Sequence, residues 1–327
     1  MAVWEAAFFT ALNCLPMFIG SCANFSVILS SLLFISVQDI EGTSLFLVSL
    51  SVADFLVCGV YQPLLIIRFN QPDQERSFVL TSSSIGHSLM RASLNGLLVV
   101  TFDRFVAIYL PFKYIIWMKK KNITLLISIS WLVALVAGIS ASSEMFGVKV
   151  ISHLYSTTII IAVSILYGVI YKKAREQARR VINQYMQVTT NIPSRQHQTD
   201  RATRGVGLVL MTTLLCWLPI LMVFPFFFVT SQNDGEIPKA VSWCLIPACF
   251  NSCINPFIYF YKFAKFRRNV RKLFQEIRRH VGGSYLVNTR RRNGGRVIPI
   301  AEAGNYTGAT RRSAWLLDQG AVVHSQK

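Results

Sequence analysis

Seven stretches of this chain, each longer than twenty residues, carry at most one charged side chain. Ala6 to Gln38 has none. Gly42 to Ile67 has only Asp54, and Ser77 to Phe102 has only Arg91. Asn122–Ser143, Val150–Tyr171, Gly205–Asn233 and Ala240–Tyr261 have none. About 20 apolar residues let a helix cross roughly 30 Å of hydrocarbon. The runs are rich in Leu, Ile, Val and Phe all round, whereas a helix on a soluble core keeps one apolar stripe. They are about twice the length of a barrel strand and lack its two-residue alternation. In lipid, helices satisfy their own backbone groups. The expected fold is therefore an all-α membrane protein, a seven-transmembrane helix bundle. Its spans are expected at about 6–36, 43–68, 77–109, 122–143, 150–175, 203–230 and 240–262.

Composition agrees. Hydrophobic residues make up 53% and charged residues 15%, against about 25% charged in a soluble domain. The net charge of +18 could suit nucleic acid, but the cations sit between the apolar runs, so the reading is membrane and no nucleic acid. Seven cysteines in apolar surroundings do not make a disulfide scaffold. The first run lacks a basic leader and is long enough to span, so it is expected to be its own insertion signal.

Charge also orients the bundle. The first, third and fifth gaps and the C-terminal tail hold 27 Lys and Arg; the other side holds Arg68, Arg76, Lys149 and Lys239. The N-terminus is expected outside and the tail in the cytoplasm, although Asp39 and Glu41 in the first gap have no cation beside them. The expected location is the plasma membrane. Beyond span seven, Phe263, Phe266, Val270, Phe274 and Ile277 recur at helical spacing between basic residues. This predicts a short amphipathic eighth helix over 263–280, lying at an anionic leaflet. Residues 1–280 would form one unit, the seven-transmembrane domain with its interfacial helix. The Gly-, Arg- and Asn-rich stretch 281–327 reads as a disordered tail. Residues 172–204 are expected to extend spans five and six and to turn near Pro193.

A polar group inside lipid is unfavourable, by roughly 2.5–3.5 kcal/mol for a central Asp or Arg on insertion scales. Those that persist should face the bundle. Span one holds Asn24, and span two holds Leu50-Ser51-Val52-Ala53-Asp54. Span three holds Ser93 and ends in Asp103-Arg104-Phe105. Span six holds Cys216-Trp217-Leu218-Pro219, and span seven runs Asn251-Ser252-Cys253-Ile254-Asn255-Pro256-Phe257-Ile258-Tyr259. In this order and at these depths the residues resemble the rhodopsin-like G-protein-coupled receptors, over about residues 5–280. Trp131 in span four and Tyr167 in span five fit the same pattern.

Asn251, Asn255 and Tyr259 are spaced by four and share a helix face. Asp54, Ser93, Asn251, Ser252 and Asn255 match the positions that build a sodium site in the family. The alternative is a plain polar packing network. The resemblance implies no other cofactor. It also implies an activation switch of Asp103, Arg104, Tyr167, Trp217, Pro219, Asn255, Pro256 and Tyr259, with Arg104 held by Asp103 until it meets a heterotrimeric G protein. Thr199 stands where the family usually has an acid in span six, with Asp200 one residue on, which leaves a cross-helix lock open. Pro219 permits a kink in span six.

The departures are as informative. Val79 stands where a cysteine usually links span three to the second outer loop, and Ile159 replaces the span-five proline. Thr213 replaces an aromatic one turn before Trp217. Losing the disulfide, a long second outer loop and the span-five proline together is similar to melanocortin receptors; lysophospholipid and cannabinoid receptors share the altered disulfide and the missing proline. Cys249 replaces the retinal lysine of opsins, and Gly86 the amine-binding aspartate of monoamine receptors. Cys14 and Cys244, near the same ends of neighbouring spans, are the one pair placed to bond. Asn122-Ile123-Thr124 and Asn305-Tyr306-Thr307 match the glycosylation sequon but fall on the cytoplasmic side.

Arg91 is the unusual intramembrane charge, with His87 one turn away. Two roles stand. It could anchor a ligand carboxylate or phosphate, or it could be structural, bonded to groups such as Ser156 or Thr157. The expected ligand pocket is His87, Met90, Arg91 and Trp217. The expected ligand is an acidic, largely apolar lipid, with a peptide as runner-up. Glu144 is the nearest acid, at the rim. No catalytic residues are needed, since the partner performs the chemistry. A transporter would want an acid relay or an inverted repeat, and an intramembrane hydrolase paired acids or metal ligands. Neither pattern is present in the sequence. A silent receptor-like scaffold is the remaining competitor.

Overall fold

A computed structural model describes residues 3–34, 42–71, 73–143, 145–186, 211–223, 239–262 and 267–279. All regular structure in these residues is helical. Helix α1 spans Val3–Phe34. The second span is composite: α2 (Gly42–Leu56), a π-turn over Val57–Tyr61, and α3 (Gln62–Asn70). Helix α4 covers Arg76–Tyr109, α5 Pro111–Trp117, α6 Lys120–Ala141 and α7 Phe146–Met186. Helix α8 covers Met211–Val223 and α9 Lys239–Lys262. Among the described residues six helical spans are long and apolar enough to cross a membrane; α8 is the described part of the sixth expected span. Helix α7 runs past the expected end of span five at 175, into residues expected to extend it. The turn near Pro193, with Thr199, Asp200 and Glu144, lies outside the described residues, as do Phe263, Phe266 and the tail.

The chain divides into two compact units, Met1–Lys272 and Leu273–Lys327. In the second unit the last turns of the helical stretch 267–279 leave Phe274 and Ile277 exposed, and Arg279 pairs with Glu276 at 3.1 Å. An apolar pair exposed beside basic side chains is the pattern expected of an interfacial helix.

In the first unit burial grades the spans. The most apolar windows of spans two, three and seven are more than half buried by protein, while that of α6 is 17% buried. Helix α6 therefore turns most of its surface, including Leu132, Val136 and Ile139, outward, which suits lipid. Association between such helices depends on close packing of small residues. Gly138 of α6 is one: a Cβ there would lie 2.4 Å from the backbone nitrogen of Ser88 on α4. Ala53, Ala92 and Ala134 extend the same close approach.

Two prolines explain local breaks. Pro111 disfavours helical geometry in the residue before it, and Leu110 leaves the helix at φ −129°, ψ 55°, ending α4 and starting α5. Pro63 has no N–H to continue the α pattern. Just before it the chain widens into the π-turn, with the Gln62 N–H bonded to the Val57 carbonyl. That turn carries the buried Tyr61 ring to Gly86 of α4. A Cβ at Gly86 would fall 2.0 Å from the ring, so the glycine makes room for Tyr61.

Candidate functional site

The deepest polar cluster lies between spans one, two, three and seven. Asp54 of α2 is fully buried. Ser93 of α4 donates to its Oδ1 at 2.5 Å, and Asn255 of α9 donates from Nδ2 to Oδ2 at 2.8 Å. The Ser93 and Ser252 hydroxyls lie 3.5 Å apart, and Asn251 is buried on the same helix. Among the described residues no Lys or Arg pairs with Asp54. Of the expected group, Ser93 and Asn255 meet Asp54 directly and Ser252 lies beside Ser93, while Asn251 is only buried nearby on α9. Oxygen donors around one negative charge suit a hard monovalent ion in kind. Among the described residues no cluster of His, Cys, Asp and Glu could hold a metal.

Asn24 completes this layer, for a reason that starts in the sequence. Pro256 has no N–H, so the Ser252 carbonyl loses its ordinary helical donor. Asn24 Nδ2 donates to that carbonyl at 3.1 Å and to the Gly20 carbonyl of its own helix at 2.9 Å. A buried carbonyl needs such a partner. One residue of α1 thereby ties span one to the carbonyl that Pro256 leaves free in span seven.

At one end of α4, Asp103 is fully buried and Arg104 is partly exposed. Arg104 donates from Nη2 at 2.7 Å and from Nε at 3.0 Å to the same oxygen, Asp103 Oδ2. Tyr114 of α5 donates to Asp103 Oδ1 at 3.0 Å. The pairing of Asp103 with Arg104 is as expected; the Tyr114 contact has no signature in the sequence, because α5 falls in the gap between spans three and four. Helix α5 also leaves Phe112, Ile115 and Ile116 more than half exposed. Tyr167 of α7 is buried, with Thr101 beside its hydroxyl. The backbone of Tyr259 continues α9, but its side chain lies outside the described residues. Trp217 is buried with its indole N–H unpartnered, and Pro219 lies in α8 two residues on.

Toward the other end of α4, Arg91 is buried and crosses to span five. Its Nη2 donates to Ser152 Oγ at 2.6 Å and to the Ser152 carbonyl at 3.2 Å; Nη1 donates to the His87 carbonyl at 3.2 Å. This corrects the expected partners. Thr157 and Ser156 bond carbonyls of their own helix, those of His153 and Ser152. Met90 and Trp217 both belong to one buried apolar cluster with Leu94, Ile160 and Ile220. All seven cysteines are free, which removes the Cys14–Cys244 pair.

Four further hydrogen bonds between helices have no signature in the sequence. Tyr155 of α7 donates to Asn95 Oδ1 at 2.7 Å, and Asn95 donates to the Ser130 carbonyl of α6 at 3.0 Å. Trp131 Nε1 donates to Ser49 Oγ at 3.0 Å. Arg68 of α3 donates to Ser83 Oγ at 2.7 Å.

Comparison with known proteins follows the same lines. The family model described as 7 transmembrane receptor (rhodopsin family) matches residues 23–146 and 140–259. Cannabinoid receptor 2 of Mus musculus is 27% identical over 233 residues, 66% of this chain and 66% of that receptor. Lysophosphatidic acid receptor 3 of Homo sapiens is 26% identical over 233 residues, 66% of this chain and 65% of the receptor. The alpha-1A adrenergic receptor of Oryzias latipes is 24% identical over 305 residues, 78% of this chain and 64% of the receptor. The chain thus aligns with about two thirds of the length of these curated relatives. The core of the match holds the Asp54 cluster, the Asp103–Arg104 pair and the proline-containing ninth helix, and the chain belongs to the rhodopsin family of seven-transmembrane receptors.

Proposed function

We propose that this protein is a plasma-membrane receptor whose outer ligand shifts the helix bundle and activates a heterotrimeric G protein at the cytoplasmic face. The N-terminus is outside and the tail inside, as the loop charges favour. The observation that carries the reading is the Asp103–Arg104–Tyr114 cluster. A partly exposed arginine is held by a buried acid, beside a short helix with an exposed apolar face. Freeing Arg104 from Asp103 would present a cation next to that face. Such a change is a population shift between two packings, biased by whatever binds one of them better. A polypeptide partner with an acidic or carbonyl-lined groove fits the exposed surface.

The ligand reading rests on Arg91. Every contact recorded for its guanidinium is to a neutral oxygen. A bound anion would relieve a charge that burial leaves uncompensated. The ligand is acidic and largely apolar, since Met90, Leu94 and Trp217 supply an apolar wall. Lipid receptors among the relatives, named for cannabinoids and lysophosphatidic acid, favour a lipid over a peptide. Sodium at Asp54, with Ser93, Asn251, Ser252 and Asn255, would hold the resting packing.

The test is nucleotide exchange by a panel of purified G proteins on membranes carrying the protein, first without ligand and then with acidic lipids. Arg104→Ala should keep surface expression near that of the parent and lose exchange. Full exchange by that variant would remove the role given to Arg104. Absence of exchange with every G protein and ligand would leave a scaffold as the better reading.

A further inference from the structure

Four lysines gather where α5 ends and α6 begins: Lys113, Lys119, Lys120 and Lys121, all exposed. No Asp or Glu stands in the sequence between Asp103 and Glu144. Hydrogen bonds fix the corner between the two helices. Asn122 of α6 donates from Nδ2 to the Trp117 carbonyl of α5 at 3.0 Å, and the Met118 N–H donates to the Tyr114 carbonyl at 2.9 Å. Lys113 lies over the exposed Trp117 ring, 5.5 Å from its centroid. Residues 113 and 117 are four apart and share one face of α5. Phe112, Ile115 and Ile116 centre about 120° round the helix from that face. The apolar face offered above to a protein partner is therefore left clear.

Lys121 also heads a stripe of α6. Ile123 is fully buried, and residues two apart on a helix point about 200° from each other, so Lys121 faces away from the bundle. Leu125, Ile129, Leu132, Val136 and Ile139 follow it at steps of three and four, and all are exposed. From Lys121 to Leu132 the helix rises about 16 Å, close to the depth of one leaflet in a hydrocarbon layer about 30 Å thick. Helical side chains lean toward the N-terminus of their helix. The lysine stems thus run out of the hydrocarbon and carry their ammonium groups to the headgroup layer. Cations at a helix N-terminus oppose the helix dipole, so α6 itself gains nothing from them.

We propose that this corner binds the headgroup of a polyphosphorylated inositol lipid of the cytoplasmic leaflet, with one acyl chain along the Leu125–Ile139 stripe of α6. A cationic head on an outward apolar stripe matches an anionic membrane lipid in charge and in depth, and a soluble anion would leave the stripe unused. Successive residues of a helical turn point about 100° apart, so Lys119, Lys120 and Lys121 fan out too widely for one phosphate to meet them all. Further phosphates on the inositol ring reach the lysines that the diester phosphate leaves over. Trp117 is suited to the interface between headgroup and chain. Basic clusters beside a membrane span attract such lipids on the cytoplasmic side. The proposal uses the inside orientation of this corner and needs no G protein.

The test uses the purified full-length protein and measures lipid binding by native mass spectrometry, with phosphatidylinositol bisphosphate against phosphatidylserine. The bisphosphate should bind at least about tenfold tighter. Replacing Lys119, Lys120 and Lys121 together by Gln should erase that preference. Removing three exposed cations from the extension of α7, by Arg175→Gln, Arg179→Gln and Arg180→Gln, should keep it. The three lysines also count toward orientation, so their loss can impair insertion. Lys113→Gln, outside the spans, keeps the test decisive: it should weaken the bisphosphate about fivefold and leave phosphatidylserine nearly unchanged. Equal affinity for the two lipids, a preference that survives the lysine substitutions, or an equal loss in the α7 variant would overturn the site. Inositol trisphosphate, the headgroup without chains, should compete at least about tenfold more weakly than the lipid; equal competition would overturn the seat of the chain on α6. Lipid preference without nucleotide exchange would refute the receptor reading alone, and exchange without the preference would refute this site alone.

Discussion

Replacing Asp54 by asparagine should make the protein more stable in sodium-free buffer and blind to sodium. The carboxylate is fully buried and accepts from Ser93 and Asn255, with no cation beside it. Hydrogen bonds to a charged group contribute about 1.5–3 kcal/mol each, so the pair offsets roughly 3–6 kcal/mol. Burying the charge costs several kcal/mol in return. Asparagine removes the charge and keeps the shape. Its oxygen accepts from Ser93. Its amide nitrogen would face the Asn255 nitrogen, so Asn255 must flip and present oxygen instead. The variant then retains two neutral bonds, each about half as strong, and loses the desolvation penalty. The net gain should be about 1–2 kcal/mol by this reasoning. For the parent, sodium at ten times its dissociation constant should add RT ln 11, about 1.4 kcal/mol. The assay is thermal unfolding in nanodiscs, in sodium chloride against choline chloride at equal ionic strength. The parent should melt higher in sodium, and Asp54→Asn should melt equally in both. If agonist affinity falls in sodium, it should do so by the same coupling factor. No difference between the salts for the parent would reduce the cluster to a packing network. A sodium response that survives Asp54→Asn would place the ion elsewhere.

Gly86→Ala should lower the melting temperature. The new Cβ would press within 2.0 Å of the buried Tyr61 ring, an overpacking worth about 1–3 kcal/mol, against at most about 1 kcal/mol gained in helix propensity; a higher melting temperature would show that the ring moves freely. Asn24→Ala should cost about 1–3 kcal/mol, because it strips the donor from the Ser252 carbonyl that Pro256 leaves free; an unchanged melting curve would mean that another donor takes over. A tag fused after Lys327 should stain only permeabilised cells, and staining of intact cells would reverse the topology.

The spans were legible because hydrocarbon imposes one rule on every residue it touches: no unpaired charge and no unsatisfied backbone. Charge-free runs therefore mark helices directly. The Asp54 cluster was legible for a related reason, since few polar residues persist in the runs and a spacing of four sets Asn251 and Asn255 on one face. The pairing of Asp103 with Arg104 is local, one residue to the next. What stayed hidden needs geometry between helices. Arg68 counts in the sequence only as an outer cation, and only the packing of α3 against α4 gives it Ser83 as a partner. Tyr114 belongs to a seven-residue helix with too little periodicity to register. Ser152 replaced Ser156 and Thr157 as the Arg91 partner because one turn of α7 decides which hydroxyl meets α4. The π-turn was signalled only by Pro63, and a proline alone does not say how the chain will absorb its missing N–H.

These long-range links converge on span three. From one end of α4 to the other, Ser83 meets Arg68 of span two, Arg91 meets Ser152 of span five, and Ser93 meets Asp54 of span two. Asn95 then meets both Tyr155 of span five and Ser130 of span four, and Tyr109 donates to the Val169 carbonyl of span five at 3.2 Å. Lipid supplies no hydrophobic force between helices, so polar contacts and close packing set their arrangement. Span three is packed too tightly to bend at Gly86 and Ser88, where Tyr61 and Gly138 fill the available space. A shift large enough to break the Arg91–Ser152 bond would also strain Tyr155–Asn95 and Tyr109–Val169, which join the same two helices. The anion proposed at Arg91 would act on one of three parallel ties between spans three and five, and the third of them lies five residues from Arg104.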